Sequence, residues 1–478
     1  MTRLSTVRTV GAASFLCIAT AIVTAQTFDY RSFDGPNNGA YPQFMSLVQG
    51  TDGNFYGTTD AGGANGEGMV FKVTSSGVFT RVHSFCSQPK CADGAYPYAG
   101  LTLATNGYLY GTTEYGMNGG GSVFKLAPNG VLTTLYSFCS LTNCVDGSNP
   151  YAAMVQAADG NFYGTTAYGG DISSCSGGCG TIYRITGEGN LTTIHSFTGA
   201  DGSQPFGNLV QAPDGNLYGT TSSGGGTGHG TVFKIAMQGA LTTLHSFDVS
   251  DGAIPYAGLV LATDGNFYGT TLQGGGENNE GSVFRITASG ILTTLYRFCS
   301  QANCYDGGGP YAGLMQATDS SFYGTTAIGG VSSNCSNGCG TVFEITAAGA
   351  LTTLHSFDKL DGEQPYGGLV QATNGTFGGT ATEGGVHNYG TAFSLNVGLG
   401  PFVTFVRAAG RIGQTGGILG QGFTGTTSVS FNGISASFTV VSDTFIEATV
   451  PAGATTSYVT VSTPSGLLTS NVPFHVIK

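Results

Sequence analysis

The phrase NFYGTT stands at residues 54–59, 161–166 and 266–271, and close variants read YLYGTT at 108–113, NLYGTT at 216–221 and SFYGTT at 321–326. A worn seventh copy, TFGGTA, occupies 376–381. The tyrosine of the phrase falls at Tyr56, Tyr110, Tyr163, Tyr218, Tyr268 and Tyr323, with Gly378 in register, so the spacings are 54, 53, 55, 50, 55 and 55 residues. A fixed period of this size means one supersecondary unit used repeatedly.

Each period holds four strand-like pieces. In residues 205–247, PFGNLVQA is a short apolar run, PDGN a turn and NLYGTT the next strand. A glycine-rich loop then leads to GTVFKIA, which alternates as a half-buried strand does. MQG turns the chain, and ALTTLHSF ends the unit. The first turn carries Asp-Gly or Asn-Gly in six of seven copies, suited to the positive φ angles of a tight hairpin; Asp319-Ser320 is the exception.

The first three strand types each occur seven times, but LTTLHSF follows only six of the GTVFKIT strands. Its seventh copy is TFDYRSF at 27–33, at the other end of the repeats. The first strand therefore completes the last unit, which is how a ring of four-stranded sheets is closed and its edges protected. The expected fold is all-β: a seven-bladed β-propeller of four-stranded blades over residues 26–398. If PYAGLVQA is innermost, the two hairpins of each blade share one face. The DGxxPY connections and the glycine-rich loops share the other.

Composition agrees. The chain has 81 Gly, 30 Phe, 23 Tyr and no Trp, with 9% charged residues, which is too aromatic for a disordered chain. A net charge of −12 with 15 Lys and Arg and no basic run argues against nucleic acid as a partner. Residues 1–25 read as a secretory signal. Arg3 and Arg8 form its positive start, Val10 to Ile22 its apolar stretch and Val23-Thr24-Ala25 its cleavage site. The expectation is a secreted or cell-surface protein with no transmembrane segment in the mature chain.

Ten cysteines remain beyond Cys17, all in close pairs: Cys86/Cys91, Cys139/Cys144, Cys175/Cys179, Cys299/Cys304 and Cys335/Cys339. An even count in an exported chain argues for disulfides. Spacings of four and three intervening residues with no histidine alongside do not suit zinc. Every pair accompanies an insertion of about four or five residues in a loop of the second face, so each reads as a staple on a lengthened loop. Stiffened, protruding loops of this kind can also form a recognition surface.

Residues 399–478 leave the repeat. About seven short alternating strands predict a small immunoglobulin-like β-sandwich. With Pro401, Gly422 and Phe423 in GQGF, Gly433, Pro451, Gly466 and the closing FHV, the segment resembles the IPT/TIG family. That resemblance implies a spacer or interaction module. The repeats, through DGNFYGTT, GTVFKIT and LTTLHSF, resemble the GloVer tandem repeat of secreted bacterial proteins, some of which carry C-terminal surface anchors. The resemblance implies export and no particular chemistry. No sorting tail is recognisable, so secretion is the expectation.

Three residue sets could carry chemistry. Asp34, Asp93, Asp146, Asp201, Asp251, Asp306 and Asp361 head the seven connections. A carboxylate repeated in every unit reads as a turn former rather than a calcium ligand or an acid/base pair. His83, His195, His245 and His355 share one strand position with Arg31, Tyr136 and Tyr296, an interchange that fits an amphipathic edge and not catalysis. His229 and His387 are lone loop residues. No nucleophile, phosphate-loop or zinc-protease motif occurs.

The aromatics are more suggestive. Tyr41, Tyr98, Tyr151, Phe206, Tyr256, Tyr311 and Tyr366 flank the proline that opens each inner strand, and Tyr115, Tyr168 and Tyr389 lie in loops. Tyrosine can stack on a sugar ring and donate a hydrogen bond; packing between blades is the alternative. Tyr98, Tyr115, Tyr151, Tyr168, Tyr256, Tyr311, Tyr366 and Tyr389 are the candidate ligand-binding residues, with no cofactor or metal expected. With no singular polar constellation in view, the expected function is non-enzymatic binding or scaffolding, the loop face engaging a glycan or cell-envelope protein. The alternative is a carbohydrate-active hydrolase or lyase.

Overall fold

A computed structural model describes residues 26–477, so the signal expected over 1–25, with Cys17, lies outside the described residues. The described residues are all-β but for three short 3₁₀ turns, Pro89–Cys91, Thr142–Cys144 and Ala302–Cys304. From Thr27 to Asn396 it forms seven four-stranded antiparallel sheets, six of them from consecutive strands. In the seventh, Thr27–Ser32 pairs along its whole length with Thr391–Asn396, from Thr27 opposite Asn396 to Ser32 opposite Thr391. The closure read from the strand count is therefore present.

The repeated phrase is explained by contacts between neighbouring sheets. Its tyrosine lies against the next sheet's aromatic, as Tyr110 does on Phe162 at 4.0 Å and Tyr268 on Phe322 at 4.0 Å. The tyrosine hydroxyl donates to the hairpin aspartate, for example Tyr163 to Asp159 and Tyr218 to Asp214. The glycine must be glycine because a Cβ there would meet the third-strand ring: 2.5 Å from Phe124 at Gly111 and 2.6 Å from Phe343 at Gly324. The first threonine donates to the next sheet's backbone, as Thr58 does to Ala99 and Thr270 to Ala312. The second is fully buried and bonds the start of the following loop. One hexapeptide thus holds its own sheet and its neighbour.

Two further contacts recur around the ring. The phenylalanine ending each outer strand packs edge-on against the following sheet: Phe85 on Phe124, Phe197 on Phe233, Phe357 on Phe393 and, across the closure, Phe33 on Phe71. Five inner-strand glutamines accept a hydrogen bond from the preceding sheet's hairpin, ending with Gln49 and the Thr373 N–H at 3.1 Å. The other two inner strands carry leucine there: Leu261 faces Pro213, which has no N–H, and Leu103 faces Thr51.

All five expected cysteine pairs are disulfides: Cys86–Cys91, Cys139–Cys144, Cys175–Cys179, Cys299–Cys304 and Cys335–Cys339. Each pair staples its loop, but three half-cystines are buried rather than out on a protruding loop: Cys335 is 9% exposed in a core cluster, and two others lie deeper. Cys179 and Cys339 are core residues, 1% and 0% exposed. Cys179 packs in one cluster with Ile182 and Phe197, and Cys339 in another with Val342 and Phe357. The physical reason is position. Each stands immediately before the glycine that leads into the buried third strand, Gly180 or Gly340, where the loop has already returned to the sheet. Their carbonyls accept the N–H groups of Gln204 and Gln364 in the following connection. These two disulfides therefore anchor the loop to the core, and neither Cys179 nor Cys339 can belong to a recognition surface.

The connections between sheets bridge to the glycine-rich loops, as Ala95 does to Tyr115 and Ser148 to Tyr168, so both loop types share one face.

Residues after Gly398 form ten short strands rather than about seven, because bends split several runs. They make two four-stranded sheets and a parallel pair, Ala409–Arg411 with His475–Ile477. The two sheets enclose a core that includes Phe423, Phe431, Ile446, Val459 and Phe474. This unit is not a detached spacer. Leu419, Val406 and Phe445 pack with Leu101 and Leu103 of the ring. Thr444 donates to the Thr51 carbonyl, the Phe402 N–H to that of Thr373 and Arg407 to that of Ala158. Those carbonyls belong to first hairpins, so the unit covers the hairpin face. Among the described residues, no helix is long and apolar enough to cross a membrane.

Candidate functional site

An axial cavity of about 510 Å³ runs between the inner strands. Thr404, Phe405, Val406, Leu419 and Asn471 of the C-terminal unit line it at the hairpin end. At the loop end, one aromatic from each sheet closes a rosette. Centroids are 5.3 Å apart for Tyr98 and Tyr151, 5.3 Å for Tyr151 and Phe206, 4.5 Å for Phe206 and Tyr256, and 5.6 Å for Tyr256 and Tyr311. Tyr311 and Tyr366 are 4.6 Å apart, Tyr366 and Phe44 5.2 Å, and Phe44 and Tyr98 6.1 Å. Phe44 also reaches Tyr256 at 5.2 Å, so it leans across the mouth.

Tyr41, expected among these aromatics, is not one of them. The first unit has one extra residue between its proline and Leu47, which puts Phe44 in the rosette. Tyr41 instead packs on Tyr389 at 5.8 Å, so this loop tyrosine is half-buried against the core. Tyr41 occupies the position before the proline, shared with Tyr96, Asn149, Gln204, Ile254, Gly309 and Gln364. All seven have φ between 54° and 59°. A left-handed backbone is strained for any residue but glycine and most for β-branched Ile254. Each is held by two hydrogen bonds. Its N–H donates to the preceding sheet's loop, and its carbonyl accepts from the residue after the YGTT phrase.

At two of those donating positions the residue is acidic. The Asp60 N–H donates to Tyr41 and the Glu114 N–H to Tyr96, whereas the other sheets place Ala167, Ser222, Leu272, Ala327 and Thr382 there. Tyr151 donates to Glu114 Oε1 at 2.6 Å. Burial, reinforced by Glu114 and Glu67, pushes the Asp60 carboxyl up to about 7. Its Oδ1 is buried without a hydrogen-bond partner, and Gln43 reaches Oδ2 only at 3.4 Å. Glu67 beside the Tyr96 hydroxyl raises that group to about 12. Burial, then the Asp60 and Glu114 charges, raise Tyr98. A singular polar cluster therefore exists beside the rosette, contrary to the sequence expectation. Its signal was the break in repeat symmetry at Asp60 and Glu114.

Tyr115 is exposed and stacks edge-on against Tyr96 at 5.7 Å, and Tyr168 is half-buried close by. Tyr98, Tyr115, Tyr151 and Tyr168 thus gather around the cluster. Tyr256 also feels the Tyr168, Tyr98 and Glu114 groups, Tyr311 and Tyr366 continue the rosette beyond it, and Tyr389 stands apart at the closure.

The repeated aspartates and histidines, read separately in the sequence, are partners. His83 meets Asp93 at 3.2 Å, His195 meets Asp201 at 2.9 Å, His245 meets Asp251 at 2.7 Å and His355 meets Asp361 at 2.8 Å. Tyr136 and Tyr296 donate likewise to Asp146 and Asp306. The carboxylates also accept backbone N–H groups, as Asp93 does from Ser87 and Gln88. Burial of Asp93 opposes ionisation, but those hydrogen bonds prevail and hold it below its ordinary value. These pairs tie the outer strand to its connection. Among the described residues, no group of three or more His, Cys, Asp or Glu could hold a metal ion.

The family model described as the Gloeobacter/Verrucomicrobia repeat matches residues 18–172, 140–335 and 275–440. No curated protein matches the chain. Among solved structures, a periplasmic gluconolactonase from Pseudomonas aeruginosa is similar, with 17% identity and a TM-score of 0.42 over 71% of this chain and 94% of that one. A structural genomics protein of unknown function from Bacteroides thetaiotaomicron has 12% identity and a TM-score of 0.42, covering 78% and 77%. A luciferin-regenerating enzyme has 10% identity and a TM-score of 0.39, covering 79% and 98%. None of these identities is high enough for an activity to transfer.

Proposed function

The chain belongs to the Gloeobacter/Verrucomicrobia repeat family, and on that premise we propose that it is an exported glycan-binding protein. It is built as a seven-bladed β-propeller over 26–398, followed by an IPT/TIG-like sandwich over 399–478 that stoppers one end of the axial channel. The observation that carries this reading is the rosette with its acidic flank at the one mouth the sandwich leaves uncovered. Aromatic faces stack on the apolar faces of sugar rings, while carboxylates and phenols exchange hydrogen bonds with hydroxyls. Tyr98, Tyr115, Tyr151 and Tyr168 with Glu114 form the binding edge.

One observation favours hydrolysis as a second reading. A carboxyl still protonated near neutrality can donate a proton to a leaving group, and Asp60 is such a carboxyl. A glycan array on the purified protein, paired with a hydrolysis screen, separates the two. Binding that Tyr98→Ala and Tyr151→Ala each weaken about tenfold, roughly one stacking contact, supports recognition. Turnover lost in Asp60→Asn would replace it with the hydrolase. A silent array together with no turnover in the screen would sink both.

A further inference from the structure

The closure between the last sheet and the first is not like the other six junctions. At each of those a YGTT tyrosine fills the space between sheets: Tyr110 against Phe162, Tyr218 against Phe267, Tyr268 against Phe322 and Tyr323 against Phe377, all stacked at 4.0–4.3 Å. Tyr56 and Tyr163 pack in the same clusters as Leu109 and Leu217. At the closure Gly378 replaces the tyrosine, and the facing residue is Phe55. The six equivalents of Phe55 are at most 7% exposed, whereas Phe55 is only half-buried and has no stacked aromatic among the described residues.

A cavity of about 220 Å³ occupies this place, lined among others by Gly378, Phe55, Leu47, Phe377, Phe393 and Asn374. Asp29, Arg31 and Ser76 make one side of it polar, and its volume exceeds the roughly 150 Å³ that holds benzene in an apolar cavity. The polar end is also in place. Five hairpins offer an aspartate to the tyrosine hydroxyl, and the second offers Asn106, whose Nδ2 donates to Tyr110 at 3.0 Å. The hairpin at the closure carries Asn374, whose Oδ1 accepts from the Thr376 backbone and hydroxyl.

We propose that this closure cavity is a binding site for a small phenol, which takes the place the tyrosine ring holds at the other six junctions. The ring lies on the face of Phe55, and the hydroxyl accepts from Asn374 Nδ2 as Tyr110 accepts from Asn106. The probe is p-cresol, the tyrosine side chain cut at Cβ, with toluene as the analogue lacking the hydroxyl. A ligand that binds only the folded chain raises the unfolding midpoint in proportion to its occupancy.

The full chain is expected to show a saturable rise with p-cresol and a smaller one with toluene. Asn374→Ala is expected to erase the difference between the two. A Cβ at Gly378 meets only Leu47 and Val370, at 3.5 and 3.6 Å, and no positive φ constrains the position. Gly378→Tyr is therefore expected to fold, to raise the midpoint without ligand and to abolish the response to p-cresol. Gly378→Phe is the reserve variant should the tyrosine fail to fold, and it too should abolish the response. Isothermal titration with p-cresol checks the stoichiometry of one. No saturable response in the unmodified chain, or an undiminished response in the filled variants, would overturn the proposal.

Discussion

At the residue scale, most polar groups on the loop face are spent on structure, and the exceptions stand out by breaking the repeat. Asp93 shows the rule: it is fully buried, and its carboxylate is taken up by His83, Ser87 and Gln88. Asp60 shows the exception, with one oxygen orphaned. Because burial and like charges raise its folded pKa to about 7, stability from the protonated carboxyl is fully present below about pH 4 and lost as pH rises through about 7. Asp60→Asn, a neutral mimic, is expected to raise the unfolding midpoint at about pH 8 and to change little at about pH 4. The gain is at most about 4 kcal/mol. Thermal melts at the two pH values check it; an equal effect at both would mean that Asp60 does not titrate as argued.

At the scale of elements, every strand type makes one contact within its sheet and one to the next. The closing strand 27–32 is the telling case, since its partner is the strand 391–396 at the far end of the repeats, and it gains no strand pairing until the ring is complete. Phe33 is fully buried and packs on Phe71 at 5.2 Å and Phe79 at 4.9 Å, the junction that Phe197 makes with Phe233 at 5.4 Å. Phe33→Ala is therefore expected to cost about 3–5 kcal/mol, as much as Phe197→Ala. Denaturant titration of both variants measures it. A loss under about 1 kcal/mol for Phe33→Ala would mean that the terminal strand is not integral to the fold.

At the scale of the whole molecule, the two faces of the ring have different fates: the C-terminal unit covers the hairpins, and the loops are left with the rosette. Burial lowers the Arg407 pKa where its guanidinium meets the Ala158 carbonyl beside Asp159. Reversing that charge in Arg407→Glu sets like charges against each other and leaves the carbonyl without its donor, a loss of about 1–3 kcal/mol. The contact is expected to loosen, with faster proteolysis around residues 397–402 and a larger radius of gyration in small-angle scattering. Unchanged scattering would show that the docking does not depend on this residue.

The repeats, the strand types, the closure and the cysteine pairing were all legible in the chain, because hydrophobic alternation, turn chemistry and spacing are local properties that each unit states again. The aromatic positions were legible too, except that one extra residue before Leu47 exchanged Tyr41 for Phe44. What could not be read were relations between units. Nothing local puts Ile254 in a left-handed conformation or sets Pro213 opposite Leu261. Nor does spacing reveal that Cys179 and Cys339 turn inward to the core while the other half-cystines of the lengthened connections stay near the surface. These depend on which surfaces the ring sets face to face. The docking of residues 399–477 on the hairpins and the gathering of Asp60, Glu67 and Glu114 belong to the same class. Local sequence specifies each sheet through its own hydrogen bonds and buried face. Contacts between residues far apart in the chain exist only after the sheets have packed, and it is those contacts that decide where a cavity opens and which carboxyl keeps its proton.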